Sequence, residues 1–211
     1  MINRTELTQS AFNPFPPRKR DLKKIEIIEA TIKSIGLHGF DGTTFGCVGA
    51  IANLSTSHLV YYFANRDELI FATMNYVGAS ISQVAIESLR SAKGWKGQMR
   101  ALIKAPFVWM ERYPDRAAAC GMVTHQCTFD KRYKDFNTKI KRVGCKRFYV
   151  LLQERFGSKV PKGELMHMSR DIQSLLMGHI IDYITTNPTR SLKALQDRTV
   201  KTIFRLIATY E

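Results

Sequence analysis

The side chains best equipped for chemistry in this 211-residue chain lie close together near its start. Thr56, Ser57 and His58 follow one another, with Tyr61 and Tyr62 one helical turn further on. Hydroxyl and imidazole groups in that arrangement can exchange hydrogen bonds with the edges of nucleic-acid bases. A phenol ring can pack on a thymine methyl or bond a phosphate. Thr43 and Thr44 precede an expected short helix, whose first N–H groups and their own hydroxyls suit a phosphate. Lys23 and Lys24 are placed to grip a backbone, and the Arg18-Lys19-Arg20 cluster to enter a minor groove. All of this is the chemistry of recognition.

Catalytic arrangements are missing from the sequence. It has no G-x-S-x-G, H-E-x-x-H, phosphate-binding loop or dinucleotide fingerprint. His125, His167 and His179 lack the spacing of metal ligands. We therefore expect no enzyme, no metal and no cofactor. Lys and Arg number 32 against 18 Asp and Glu, a net charge of +14 that attracts polyanions, nucleic acid first among them. Cys47, Cys120, Cys127 and Cys145 form no C-x-x-C pair and read as reduced packing residues, with Cys120 and Cys127 the candidates for a redox sensor. No uninterrupted apolar run has the roughly 18 residues of a membrane span, and no apolar stretch follows Met1 as in a secretory signal. The expected location is the cytoplasm, with no membrane partner.

The elements that must position these side chains are all helical. Residues 1–17 are polar, end in Phe15-Pro16-Pro17 and read as a flexible arm. Leu22, Ile25, Ile28, Ile32 and Ile35 trace one helical face that stops at Gly36 and Gly39. A short helix carrying Val48 and Ile51 follows the two threonines, Asn53 makes a tight turn, and Ser55 caps a third helix with Leu59, Val60 and Phe63. Asn65 and Glu68 mark the capping box of a fourth, running to about Ser91. Further helices are expected over 95–113 (broken near Pro106), 116–128, 130–156, 163–186 and from Thr189 or Ser191 to Tyr210. No segment alternates like a strand. The basic run Lys131, Arg132, Lys134, Lys139, Lys141, Arg142, Lys146 and Arg147 reads as a solvated helix face.

The stretch from Ile25 to Leu69 resembles the DNA-binding domain of the TetR family. The resemblance rests on Gly39-Phe40, Thr43-Thr44, Val48-Gly49, Ala52-Asn53-Leu54-Ser55, Leu59 to Phe63 and Asn65 to Leu69, in order and at the right spacing. It covers about 45 residues. Asn53 and Ser57 stand where the family often has glycine, and Val60 where tyrosine is frequent. The implied fold is all-α: a helix-turn-helix domain over 18–65 and a helical effector-binding and dimerisation domain over 66–211. The DNA-contacting set is then Lys24, Thr43, Thr44, Ser55, Thr56, Ser57, His58, Tyr61, Tyr62 and Arg66, where the resemblance implies a phosphate contact for Arg66.

The same resemblance implies a sequence-specific transcriptional regulator, a repressor released by a small molecule, acting as a homodimer on double-stranded operator DNA. The last two helices would pair with the partner's through Leu175, Leu176, Ile180 and Tyr183 on one and Leu195, Val200, Ile203, Phe204 and Ile207 on the other. A largely apolar effector would be lined by Phe107, Met110, Met122, His125, Phe148, Tyr149, Leu152 and His179. The alternative is a ligand-independent DNA-binding or architectural protein, marked by a filled sensor core.

Overall fold

The computed structural model describes residues 19–186 and 191–210, so the expected arm over 1–17, Arg18 and the alternative cap Thr189 lie outside the described residues. Among the described residues there are nine helices and no strand. The first three form the compact N-terminal unit. Helix α1, Lys19–Gly42, buries Ile27, Ile28, Ile32 and Ile35, and its winding breaks at Gly39. Gly39 has φ 71°, a conformation glycine adopts without steric cost.

Helix α2, Phe45–Ala52, starts where the Thr44 hydroxyl accepts the Cys47 N–H at 3.2 Å. It ends at Asn53 in the left-handed region, φ 53°, with the Asn53 and Leu54 N–H groups both directed to the Gly49 carbonyl. Asparagine tolerates that conformation better than most residues, which is how it replaces a turn glycine here. Helix α3, Thr56–Tyr62, is capped by Ser55 Oγ, which accepts the His58 N–H. Its anchors are the buried Leu59 and Phe63.

Helix α4, Arg66–Arg90, opens on the expected capping box. Asn65 Oδ1 accepts the Glu68 N–H, and the Glu68 carboxylate accepts the Ala64 N–H. By length and mean hydropathy α4 could cross a bilayer, yet Leu69, Ile70, Met74, Val77 and Val84 are buried against other helices, as in a core helix.

Helix α5, Gly94–Arg112, runs unbroken through Pro106, contrary to the expected interruption. Proline removes one helical hydrogen bond, but its neighbours Ala105 and Phe107 are both buried, and tertiary packing holds the turn. The remaining helices are α6, Pro114–Gln126; α7, Lys131–Phe156; α8, Lys162–Thr185; and α9, Leu192–Ala208, capped by Ser191.

Helix α1 packs on α2, α4 and α6, which seats the N-terminal unit on the rest. Helices α4 and α5 lie side by side, as do α7 and α8, and α9 closes over α5 and α8.

Candidate nucleic-acid interface and interior cavity

The turn from Asn53 to Ser55 delivers a helix whose outward side is polar. Thr56, Ser57 and His58 are exposed, Tyr61 is 68% exposed, and Val60 shares their face. Ser55 Oγ lies 2.9 Å from both Ser57 Oγ and His58 Nδ1, which ties the capping residue to the two side chains after it. Tyr62 is half-buried and meets Tyr61 edge-on, ring centres 5.0 Å apart. Thr44 is exposed at the N-terminus of α2 and its hydroxyl also donates to Cys47 Sγ, which holds that thiol below its ordinary range. Lys24 lies with its ammonium 5.2 Å from the centre of the Phe63 ring.

Two of the residues expected at the interface have interior work. Thr43 is 1% exposed. Its hydroxyl donates to the Gly39 carbonyl at 2.8 Å and accepts from Ser34, so its side chain holds the break in α1 and has no surface from which to touch DNA. Arg66 is half-buried: Nε donates to the Thr43 carbonyl at 2.7 Å, Nη2 donates to the Phe40 carbonyl, and the guanidinium covers the Phe40 ring. The arginine at the start of α4 thus locks the loop between α1 and α2. The sequence reading missed this role because both acceptors are backbone atoms more than 20 residues away.

The expected effector residues are only partly brought together. A cavity of about 80 Å³ lies among α4, α5, α7 and α8, and of the eight expected residues Phe148 alone lines it. Phe107, Met110 and Leu152 are buried in the core away from it. Met122 and Tyr149 are half-buried, outside its wall. His125 is exposed, its ring 5.1 Å from that of Phe129. His179 faces α9, with Nδ1 2.7 Å from Thr199 Oγ1. A smaller cavity of about 20 Å³ adjoins the first through Gly78, Ile81 and Ile140. Cys120 and Cys127 line it, and burial pushes Cys120 up to about 11 and Cys127 upward. Thiolate is scarce at such sites, which removes the ground for a redox sensor.

What sequence reasoning missed was the polar part of the larger cavity: Arg147, Ser82 and Gln173. Arg147 closes the run read as a solvated face, yet it is 5% exposed. The run is otherwise as expected, with Lys131 paired to Asp135 and Arg132 to Asp67 and Asp130 at the surface. The signal for Arg147 was present, because it precedes the buried Val150 and Leu151 by three and four residues and so shares their face.

Comparison with known proteins agrees with this architecture. Residues 27–73 match the profile of the bacterial regulatory proteins of the tetR family. The chain is 26% identical over 161 residues, 75% of its length and 80% of the relative's, to the HTH-type transcriptional regulator BetI of Burkholderia ambifaria. A TetR transcription regulator from Haloarcula marismortui has a similar fold, with a TM-score of 0.76 at 15% identity, over 88% of this chain and 98% of that one. The transcriptional regulator FadR from Bacillus subtilis, solved with stearoyl-CoA, superposes with a TM-score of 0.72 at 14% identity, over 85% and 96%.

Proposed function

This chain belongs to the TetR family of transcriptional regulators, and from that premise we propose that it is a repressor which grips operator DNA as a homodimer and lets go when a small molecule occupies its interior. Residues 18–65 make the DNA-binding domain and 66–211 the effector-binding and dimerisation domain, working in the cytoplasm. The observation that carries the reading is the outward side of α3. Thr56, Ser57, His58 and Tyr61 are exposed on a helix fixed by the buried Leu59 and Phe63. Such a helix enters a major groove and puts its first residues at the base edges. Thr44, Ser55 and Lys24 serve the flanking phosphates, and Tyr62 supports Tyr61 from behind.

The partner subunit docks on α8 and α9. Leu175, Ile180 and Tyr183 on α8 and Leu195 on α9 are half-buried in one chain and offer the apolar surface. Leu176, Val200, Ile203 and Ile207 are buried within the chain itself and do not take part, while Phe204 rests against Trp95 under Arg100. A twofold dimer of this kind demands a palindromic operator with half-sites about one helical turn apart. The cavity among α4, α5, α7 and α8 favours a ligand-released regulator over an architectural protein, whose core would be filled. That the similarly folded FadR was solved with stearoyl-CoA supports the ligand-responsive reading.

Selecting tight binders from random-sequence DNA tests the proposal. A palindrome with half-sites spaced by one turn, protected from cleavage by a dimer, is the expected result. Enrichment of no motif would overturn it.

A further inference from the structure

Three exposed side chains at the start of α3 are bonded to one another before any DNA arrives. Ser55 Oγ accepts the His58 backbone N–H at 3.3 Å and lies 2.9 Å from both Ser57 Oγ and His58 Nδ1. A serine hydroxyl has one hydrogen to give and two lone pairs to receive with. One lone pair serves the His58 N–H. The other lone pair and the hydrogen are divided between Ser57 and the ring nitrogen, which uses the whole capacity of Ser55.

Two assignments fit this count. In the first, Ser57 donates to Ser55 and Ser55 donates to Nδ1, so the neutral ring carries its proton on Nε2. In the second, both donations are reversed and Nδ1 holds the proton. The surroundings favour the first. Nδ1 lies against the capping residue, where the unpaired N–H groups of the first helical turn concentrate partial positive charge. A lone pair is stabilised at that spot, and a proton is not. With Nδ1 turned to Ser55, the nitrogen that exposed His58 offers to a partner is Nε2, across the ring.

An outward N–H needs an acceptor. In the major groove guanine shows N7 and O6 side by side with no donor next to them. Adenine sets an amino group beside its N7, and cytosine offers an amino donor. We propose that Ser55 is a positioning residue which fixes the tautomer of His58, and that the resulting Nε2–H donates to N7 of a guanine in each operator half-site. Entry into the groove takes water away from the three side chains, which strengthens the bonds that hold the ring. Ser57 keeps its lone pairs for a base amino group, and the Ser55 backbone N–H is left for a flanking phosphate. The inference rests on the DNA-binding reading above and names the base that His58 reads.

The test takes the operator selected from random-sequence DNA and replaces its guanines one at a time by 7-deazaguanine, which pairs normally but has C–H in place of N7. Anisotropy titrations with the full chain should find one guanine per half-site whose replacement weakens the wild type about tenfold. The same replacement should change His58→Ala by less than about twofold, because the contact is already gone. Ser55→Gly removes the hydroxyl yet keeps most of the stability of the helix cap, so the protein stays folded. Its loss on 7-deazaguanine should shrink to about threefold or less, while Ser55→Thr, which restores a hydroxyl, keeps the wild-type value. A purely structural role for Ser55 would weaken all DNA alike and leave the ratio unchanged. Nitrogen NMR of the His58 ring in the free protein, under mildly alkaline conditions, gives a second readout: Nε2–H in the wild type, and a mixture of tautomers in Ser55→Gly.

The inference is overturned if no guanine shows a 7-deaza effect that vanishes in His58→Ala, if Ser55→Gly keeps the full effect, or if the ring carries its proton on Nδ1. An enriched palindrome that is insensitive to 7-deazaguanine overturns this inference alone and leaves the regulator standing. Enrichment of no motif overturns both.

Discussion

Arg116, at the start of α6, sets its Nη2 2.5 Å from Oε1 of Glu29 on α1, a contact between residues 87 positions apart in the chain. Tyr76 of α4 completes the cluster: its hydroxyl donates to the same Glu29 oxygen at 2.7 Å, and Arg116 lies across its ring. Three helices meet here, and one of them belongs to the DNA-binding unit. The Arg116 side chain is 13% exposed, so the pair is shielded from solvent more than an ordinary surface bridge. Arg116→Ala should lower unfolding stability by about 1–3 kcal/mol in urea, and Tyr76→Phe by less, because Glu29 keeps its arginine.

The cluster also has a pH signature. Burial, and then the hydrogen bond to Glu29, raise Tyr76 to about 12. The unfolded value is near 10, so the folded state holds its proton more tightly. That contribution is complete below pH 10 and disappears as pH rises toward 12. Above pH 10 the wild type should lose stability more steeply than Tyr76→Phe, measured by urea unfolding on both sides of that pH. Equal slopes would show that Tyr76 does not titrate as described.

Thr43 and Arg66 separate fixing the DNA-binding unit from touching DNA. Thr43→Val leaves the half-buried Gly39 carbonyl without its hydroxyl donor, and Arg66→Met strips the Thr43 and Phe40 carbonyls of theirs. Each should cost about 1–3 kcal/mol in stability. DNA affinity should fall only as far as the folded fraction falls, a comparison of thermal unfolding with binding at a temperature where each variant is folded.

Two glycines predict opposite outcomes for the same substitution. A Cβ on Gly49 would lie 2.6 Å from the Leu54 carbonyl oxygen, a backbone atom that cannot rotate away. Gly49→Ala should therefore destabilise by about 1–3 kcal/mol through overpacking at the turn. Gly178 sits inside α8 facing open space, and Gly178→Ala should stabilise by about 0.5–1 kcal/mol through helix entropy. Denaturant midpoints of the two variants check both signs.

His179 contributes at the other end of the pH scale. The Thr199 hydroxyl donates to the Leu195 carbonyl, so the histidine Nδ1 is the donor in their 2.7 Å contact. Burial, and then the charge of Arg198, lower its pKa. A lowered folded value means stability present above pH 6.5 and lost as pH falls through the folded pKa. Thermal unfolding should show wild type losing Tm below pH 6.5 faster than His179→Gln.

The N-terminal unit was readable because its signals are local. Caps at Thr44, Ser55 and Asn65, the left-handed Asn53 and the spacing of Ile28, Ile32 and Ile35 each declare themselves within a few residues. The sensor half was readable as helices, not as a site. Aromatic and methionine side chains such as Phe107 and Met110 suit a core and a pocket equally well, and only packing of distant helices decides which they fill. Charge misled in the same way. Arg66 and Arg147 look like surface cations by type, and their partners, Phe40, Thr43 and Ser82, are 23 to 65 residues away. The Glu29–Arg116 contact left no local trace either.

The central claim is that the outward side of α3 reads DNA. It is tested most directly by fluorescence anisotropy on the selected operator and on unrelated DNA across a salt series, with wild type, His58→Ala and Tyr61→Ala. Both residues are exposed, so each variant should keep wild-type stability within about 0.5 kcal/mol. The account predicts that each loses about 1–3 kcal/mol of operator affinity while binding to unrelated DNA is unchanged. Operator affinity that stays at the wild-type level in both variants would contradict it.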